Sequence, residues 1–503
     1  MAPSLITYIL LALPFILAFL VHNRKKIRSN QARLPPGPTG LPFIGNLLQL
    51  DPAAPHRYLW QLSKKHGPLT SLRLASARVV VASTAEMAQQ VMKSQDLVFC
   101  SRPTAIGTQK LSYGGRDLAF SPYNEYFREM RKLCVVHLFS LPRVQSFRPI
   151  RECEVSKLID RISESSGRGP FDMSEAMRSL TTAIICRVAF GTSYDDERSV
   201  ARFQSLLNET QAMFTSFFVA DHFPLLGFVD RLSGLNRRLE KNFEEFDAFY
   251  QEIIDHHLDP NRSKTEQDED ILDVLLQIKE DPSYKIRLTF DHIKALLMNI
   301  FVGGTDSSAA TVIWTMTYLV KNPGVMAKAQ REVRELIGKK GFVNEEDMQQ
   351  LAYLKAVIKE SMRLQPTAPL LVPRESTEDC RLGGYEIPAK TIVYVNIWAI
   401  GRDPETWGEN PEEFRPERFM ENSSIDVKGA DFELIPFGAG RRMCPAMHMG
   451  LANVELSLAN LLYAFDWGMP DGMKNEDLDM DVQPGVAMHK KNPLRLVATK
   501  WVL

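Results

Sequence analysis

Little in this chain points to disulfides, to nucleic acid or to a bound dinucleotide. Six cysteines occur in 503 residues (Cys100, Cys134, Cys153, Cys186, Cys380 and Cys444), and no two stand at Cys-x-x-Cys spacing. Such sparse thiols in a long chain argue against a disulfide framework and predict a reducing compartment. Lys and Arg number 60 against 61 for Asp and Glu, a formal net charge of −1. That leaves no basic field for nucleic acid, and neither zinc-finger spacing nor an arginine-rich arm is present. Rossmann and flavin fingerprints are missing, so electrons for redox chemistry would have to come from a separate protein. No fixed-period repeat is visible, which excludes a solenoid.

What is present begins with Leu5 to Val21, an almost unbroken apolar run followed by Arg24, Lys25, Lys26, Arg28 and Arg33. The run is near the length that crosses a bilayer, and Pro14 is tolerated in a membrane helix. The positive charges lie after it, which places the following domain on the cytoplasmic side and disfavours a cleaved signal peptide. Residues 1–22 are therefore expected to be a transmembrane anchor and 23–40 a basic, proline-rich hinge. The hinge ends in Leu34-Pro35-Pro36-Gly37-Pro38, stiff because consecutive prolines fix φ.

With 45% hydrophobic and 24% charged residues, the remainder can form a large core. Leu69 to Ala82 alternates and then becomes β-branched, predicting a hairpin. Helical periodicity dominates from about Ala85 to Asn322, broken by the polar stretch Asp259 to Asp270, which predicts a surface loop. Asn322-Pro323 predicts a helix start, and strand-like pieces return at Thr391 to Val395 and near the C-terminus. Residues 41–503 thus read as one large domain, mainly α with small β-sheets. His256-His257 reads as solvated.

The most informative segment is Phe437-Gly438-Ala439-Gly440-Arg441-Arg442-Met443-Cys444-Pro445-Ala446, which leads into a helix-forming run from Met447 to Phe465. A thiolate at Cys444 would face a helix N-terminus and its unpaired amides, both of which stabilise negative sulfur. The glycines let the backbone pass close to a flat ligand, and the arginines can neutralise its anionic groups. With no second metal-binding residue at cage spacing, this suits one axial bond to a haem iron. The segment resembles the haem-binding loop of cytochromes P450, Phe-x-x-Gly-x-Arg-x-Cys-x-Gly. It matches at Phe437, Gly440, Arg442 and Cys444 and departs at Ala446, where the family has glycine; alanine still fits a helix start.

Gly303-Gly304-Thr305-Asp306-Ser307-Ser308 lies inside an apolar helical pattern from about Phe290 to Val320. Two interior glycines cost about 1 kcal/mol each relative to alanine. Either close approach of a flat cofactor or local opening of the helix, with the Ser307 hydroxyl competing for the Gly303 carbonyl, would account for them. The motif resembles the family's oxygen-activation segment, which implies that Asp306 and Ser307 deliver protons so that the O–O bond breaks heterolytically. Serine stands where the family usually has threonine, so the β-branch that restricts χ1 is lost.

Glu360 and Arg363 sit at i,i+3 spacing and can pair on one helix face. With Arg418 they resemble the family's structural Glu-Arg-Arg triad. The resemblance further implies haem-propionate contacts from Arg442, Arg374 and Arg131, with Phe127 replacing the usual tryptophan. It implies a substrate pocket drawing on Phe120, Met213, Asn299, Gly303, Ala368, Val372 and Val486. The whole pattern is similar to plant microsomal members, and Gly485 to Lys491 resembles the branch that oxidises aldoximes. The expected protein is an endoplasmic-reticulum monooxygenase with haem b, a small-molecule substrate and NADPH electrons arriving through a cytochrome P450 reductase. An isomerase or dehydratase on the same fold and a non-catalytic haem-binding membrane protein are the rivals; both leave Asp306-Ser307 without a role.

Overall fold

The computed structural model describes residues 34–192, 197–262, 269–483 and 485–502. The expected anchor, the basic part of the hinge and residues 263–268 of the polar loop lie outside the described residues. The architecture is mainly helical with small sheets, as the periodicity predicts.

Its axis is one helix, Phe290–Lys321. Thr289 starts it with a capping box, its hydroxyl accepting from the His292 amide while the His292 ring accepts from the Thr289 amide at 3.0 Å. A helix apolar all round has to be buried. This one is packed against helices Met173–Phe190 and Met447–Ala464. It is long and apolar enough to cross a membrane, but most of its apolar stretch lies inside the domain. Gly304 accounts for part of that fit, because a Cβ there would lie 2.6 Å from Ile185 Cδ1 on the neighbouring helix. At Asn322 the side chain bonds back to the Tyr318 carbonyl (2.8 Å), and Pro323 opens the next helix, Pro323–Ile337.

Strands β1 (Leu69–Leu74) and β2 (Ala77–Ala82) form the expected antiparallel hairpin. The others are β3 (Phe171–Asp172), β4 (Arg374–Glu375), β5 (Cys380–Leu382), β6 (Tyr385–Ile387), β7 (Ile392–Val395), β8 (Phe465–Gly468), β9 (Val482–Gln483), β10 (His489–Lys490) and β11 (Arg495–Lys500). The largest sheet runs β1-β2-β7-β4, with β7 parallel to β2 and β4 antiparallel to β7. It carries Arg374 on its outermost strand. The proline segment docks on its other edge: Ser71 donates from its amide to the Pro36 carbonyl (2.9 Å) and from its hydroxyl to the Pro35 carbonyl (2.6 Å). A Cβ on Gly37 would come within 1.9 Å of the Ser71 carbonyl oxygen, so this docking requires glycine.

One sequence expectation is corrected here. His257 is not solvated: it is buried, bonded to the Ile253 carbonyl (2.8 Å) and to Asp270 Oδ2 (2.9 Å). Arg262 bridges the same Asp270 and Asp273 at 3.0 and 2.7 Å. Of the described residues in the polar stretch, Asp270 turns inward, its charge met by His257 and Arg262.

Candidate active site

The cysteine loop closes on itself before the helix Met447–Ala464 begins. The Cys444 amide donates to the Phe437 carbonyl at 2.9 Å, while Gly438 and Gly440 turn through left-handed φ of 69° and 67°. Gly440 serves a different purpose from the one expected. A Cβ there would sit 2.3 Å from the Met92 carbonyl oxygen, so the glycine admits protein backbone rather than a flat ligand. Ala446 caps the helix at φ −99°, a conformation open to alanine, which explains why the family's glycine is dispensable.

Burial pushes the Cys444 thiol above its ordinary value, opposed by the Ala446 N–H and by the Arg131 charge. Among the described cysteines displaced by burial, Cys444 is the one with a backbone N–H aimed at its sulfur. The residue nevertheless keeps accessible surface. A group enclosed by protein yet still accessible lies on the wall of an internal space, the position an axial ligand needs.

Four arginines converge beside the loop. Arg374 donates to Asp96 Oδ1 and the Ala439 carbonyl, each at 2.9 Å. Arg442 donates to the carbonyls of Cys100 (2.7 Å), Leu118 (3.2 Å) and Ser121 (2.5 Å) and lies over the Phe127 ring. Arg102, which no spacing pattern marks in the sequence, donates to the carbonyls of Ala119, Val372 and Pro373 at 2.8 Å each. Arg131 has no hydrogen bond or ion pair among the described residues; burial lowers it, and Cys444, Cys134 and Asp96 oppose that shift. Burial lowers all four, Arg442 to about 10, and Arg374 and Arg442 depress Arg102 further by like-charge repulsion. The facing carboxylates are Asp96 and Asp117, the latter pushed up to about 6 by burial. Cationic charge is therefore in excess, and a flat group bearing two carboxylates, as haem b does, would neutralise it. The residues present fit the cofactor.

The second motif reaches the same place. A Cβ built on Gly450, one turn into the cysteine helix, would lie 3.7 Å from the Phe437 ring and 3.9 Å from Ser308 Oγ. The Asp306–Ser308 turn and the cysteine loop thus meet there. Ser307 Oγ donates to the Gly303 carbonyl at 2.8 Å, the competition anticipated from sequence, yet the helix runs through unbroken. Gly303 faces open space: a Cβ at this position would meet nothing within 4 Å among the described residues. Asp306 is buried, and His489 stands beside it, Nε2 to Oδ2 at 3.5 Å.

Glu360, Arg363 and Arg418 come together as the spacing suggests. Arg363 grips Glu360 with two 2.7 Å bonds, both side chains fully buried, and Arg418 Nε approaches Glu360 Oε1 at 3.4 Å. The remaining donors are met by carbonyls: Arg363 reaches Gly401, Pro411 and Glu413, and Arg418 reaches Trp407 and Asn410.

The expected pocket residues divide. Ala368 and Val486 line a cavity of about 100 Å³ with Leu370, Leu371 and Met488. Phe120 stacks near Phe214, ring centroids 5.0 Å apart. Val372 spends its carbonyl on Arg102. Met213 is a correction: it is fully buried with Leu111, Phe218 and Leu239, a cluster against which Phe214 also packs while its ring reaches Phe120. Asn299 accepts from the Leu118 and Ala119 amides (2.9 and 3.0 Å) and donates to Asp117 (2.9 Å), so it braces the Phe120 loop while staying part-exposed.

The fold and the site define a haem-dependent oxidoreductase. The chain belongs to the cytochrome P450 family, whose profile, described as Cytochrome P450, matches residues 35–496. It is 49% identical to a 6,7,8-trihydroxycoumarin synthase of Pastinaca sativa over 98% of each chain, and 48% identical to a 5-OH-xanthotoxin synthase of the same plant over 99% of each. A zebra fish cytochrome P450 solved with abiraterone superimposes with a TM-score of 0.74 at 26% identity, covering 89% of this chain and 99% of that one. The protein is a monooxygenase, and its cofactor is haem b.

Proposed function

We propose that this protein is a membrane-anchored, reductase-fed monooxygenase that hydroxylates a small planar aromatic metabolite. The observation that carries the reading is the meeting at Gly450 of the Cys444 loop with the Asp306–Ser308 turn. The names of the relatives, a trihydroxycoumarin synthase and a 5-OH-xanthotoxin synthase, support a coumarin-like substrate class. Residues 1–22 act as the endoplasmic-reticulum anchor and 23–40 as the hinge.

Haem, when bound, would supply the redox chemistry that activates dioxygen. Cys444 would hold the iron, its sulfur charge favoured by the Ala446 N–H and Arg131. Arg131, uncommitted among the described residues, is the cation for a propionate, while Arg102, Arg374 and Arg442 supply the surrounding positive field. Phe437 and Gly440 shape the loop. Phe120, Phe214, Gly303, Ala368, Val372 and Val486 form the apolar wall that orients a flat ring. Asp306 and Ser307 carry protons, the serine hydroxyl parked on the Gly303 carbonyl until it turns into the pocket. Glu360, Arg363 and Arg418 hold the frame. Basic residues including Arg128 and Lys132 dock the acidic reductase.

The test uses the full chain in microsomes with a plant reductase and a panel of coumarins, aldoximes and terpenoids. Hydroxylated coumarin dependent on NADPH, reductase and dioxygen is expected, with Ser307→Ala diverting NADPH to peroxide. Product formed without dioxygen or reductase would establish the isomerase or dehydratase reading. Unaltered product per NADPH in Ser307→Ala would remove that hydroxyl from proton delivery.

A further inference from the structure

Asp306 is an anomaly in an otherwise well-satisfied helix. Its Oδ2 is completely buried and carries no hydrogen bond, although an unpaired buried carboxylate oxygen is costly. Among the described residues the basic side chain within reach is His489, whose Nε2 stands 3.5 Å away. The imidazole presents Nε2 to the carboxylate, and its second nitrogen, Nδ1, is buried without a hydrogen bond.

His489 is also held unusually firmly. Immediately before it, the Met488 amide donates to the Thr367 carbonyl (2.7 Å) and the Met488 carbonyl accepts from Trp314 Nε1 (3.0 Å), the indole being on the same central helix as Asp306. His489 itself pairs with Gln483 across β9–β10. After it, Lys490 is turned away and ion-paired to Asp479 at 2.7 Å, and the Lys491 amide donates to the Asp481 carbonyl. The neighbouring lysine charge is thus committed elsewhere, and the imidazole is bolted at a fixed distance from the carboxylate. The same hairpin carries Val486 and Met488 on the wall of the cavity.

We propose that His489 is the positioning residue for Asp306: the imidazole holds the carboxylate against β10, beside Ser307, and fixes its orientation for proton delivery. The proposal rests on the reading of Asp306 as the acid of the site. The 3.5 Å contact is long for a hydrogen bond, so the imidazole acts by restricting the carboxylate to the rotamers that keep it beside β10. The same segment carries Val486 and Met488 on the cavity wall, next in sequence to His489.

Four full-length proteins test this: Asp306→Asn, His489→Gln, the double variant and His489→Lys, each checked for haem content. Two quantities are measured, product formed per NADPH with reductase present, and the urea-unfolding midpoint of each protein. His489→Gln is expected to lower product per NADPH about two- to fivefold, the range for loss of one modest polar contact. The double variant should match Asp306→Asn in both quantities, and His489→Lys, which places a cation beside the carboxylate, should recover most of the coupling. If Asp306→Asn uncouples while His489→Gln behaves as wild type and the midpoints add, the reading of Asp306 stands and the role of His489 is overturned. If Asp306→Asn is itself fully coupled, the reading of Asp306 fails and takes this role with it.

Discussion

The guanidinium carbon of Arg442 lies over the ring of Phe127, 3.6 Å from its centroid. The aromatic face stabilises a cation that burial otherwise disfavours, while three carbonyls take its N–H groups. Phenylalanine at this position therefore acts as the platform that aims Arg442 across the cysteine loop.

Phe127→Leu keeps an apolar side chain and removes the ring face. It is expected to destabilise the folded protein by about 1–2 kcal/mol and to lower haem retention on dilution. Chemical denaturation and absorbance of the purified protein measure both, and an unchanged haem content would show that Arg442 holds its place without the ring.

Glu360 is the one acid between Arg363 and Arg418; it also accepts from the Arg415 amide, and the two arginines donate their remaining N–H groups to surrounding carbonyls. Glu360→Gln leaves Arg363 buried without its counter-charge and is expected to cost about 3–5 kcal/mol. Arg418→Lys should cost less, since Arg418 contacts Glu360 only at 3.4 Å. Urea midpoints of the two variants give the ordering.

Met213 and Phe214 share one apolar cluster, but Met213 is fully buried in it while the partly buried Phe214 also lies against Phe120, which separates packing from substrate contact. Met213→Ala is expected to lower stability by about 2–5 kcal/mol and to leave the substrate-induced spectral shift intact. Phe214→Ala should alter which aromatic substrates give that shift, with a smaller stability loss. The reverse pattern would return Met213 to the pocket.

That pair also marks where the chain's own patterning stops being informative. The central helix, the β1–β2 hairpin and the cysteine helix were readable because long apolar or alternating runs leave few other ways to bury them. Glu360 with Arg363, and Ser307 with the Gly303 carbonyl, were readable because both pairs are local along one helix. Arg102, Asp96 and His489 were not, since each acquires its role from partners far away in the chain. A one-residue difference in helix phase decides between Met213 and Phe214, and residue-level resemblance does not fix that phase. His256 and His257 likewise looked equivalent, and only tertiary contact with Asp270 distinguishes them.

The central claim is that Cys444 is the thiolate that binds haem iron, and it is tested most directly by the reduced carbon-monoxide difference spectrum of Cys444→Ser. Serine keeps the size and the Ala446 N–H contact but is a far poorer soft donor than thiolate. The wild-type protein is expected to show the red-shifted Soret band of a thiolate-bound haem, and Cys444→Ser is expected to lose it. A variant that retains haem and shows the same red-shifted band would contradict the account.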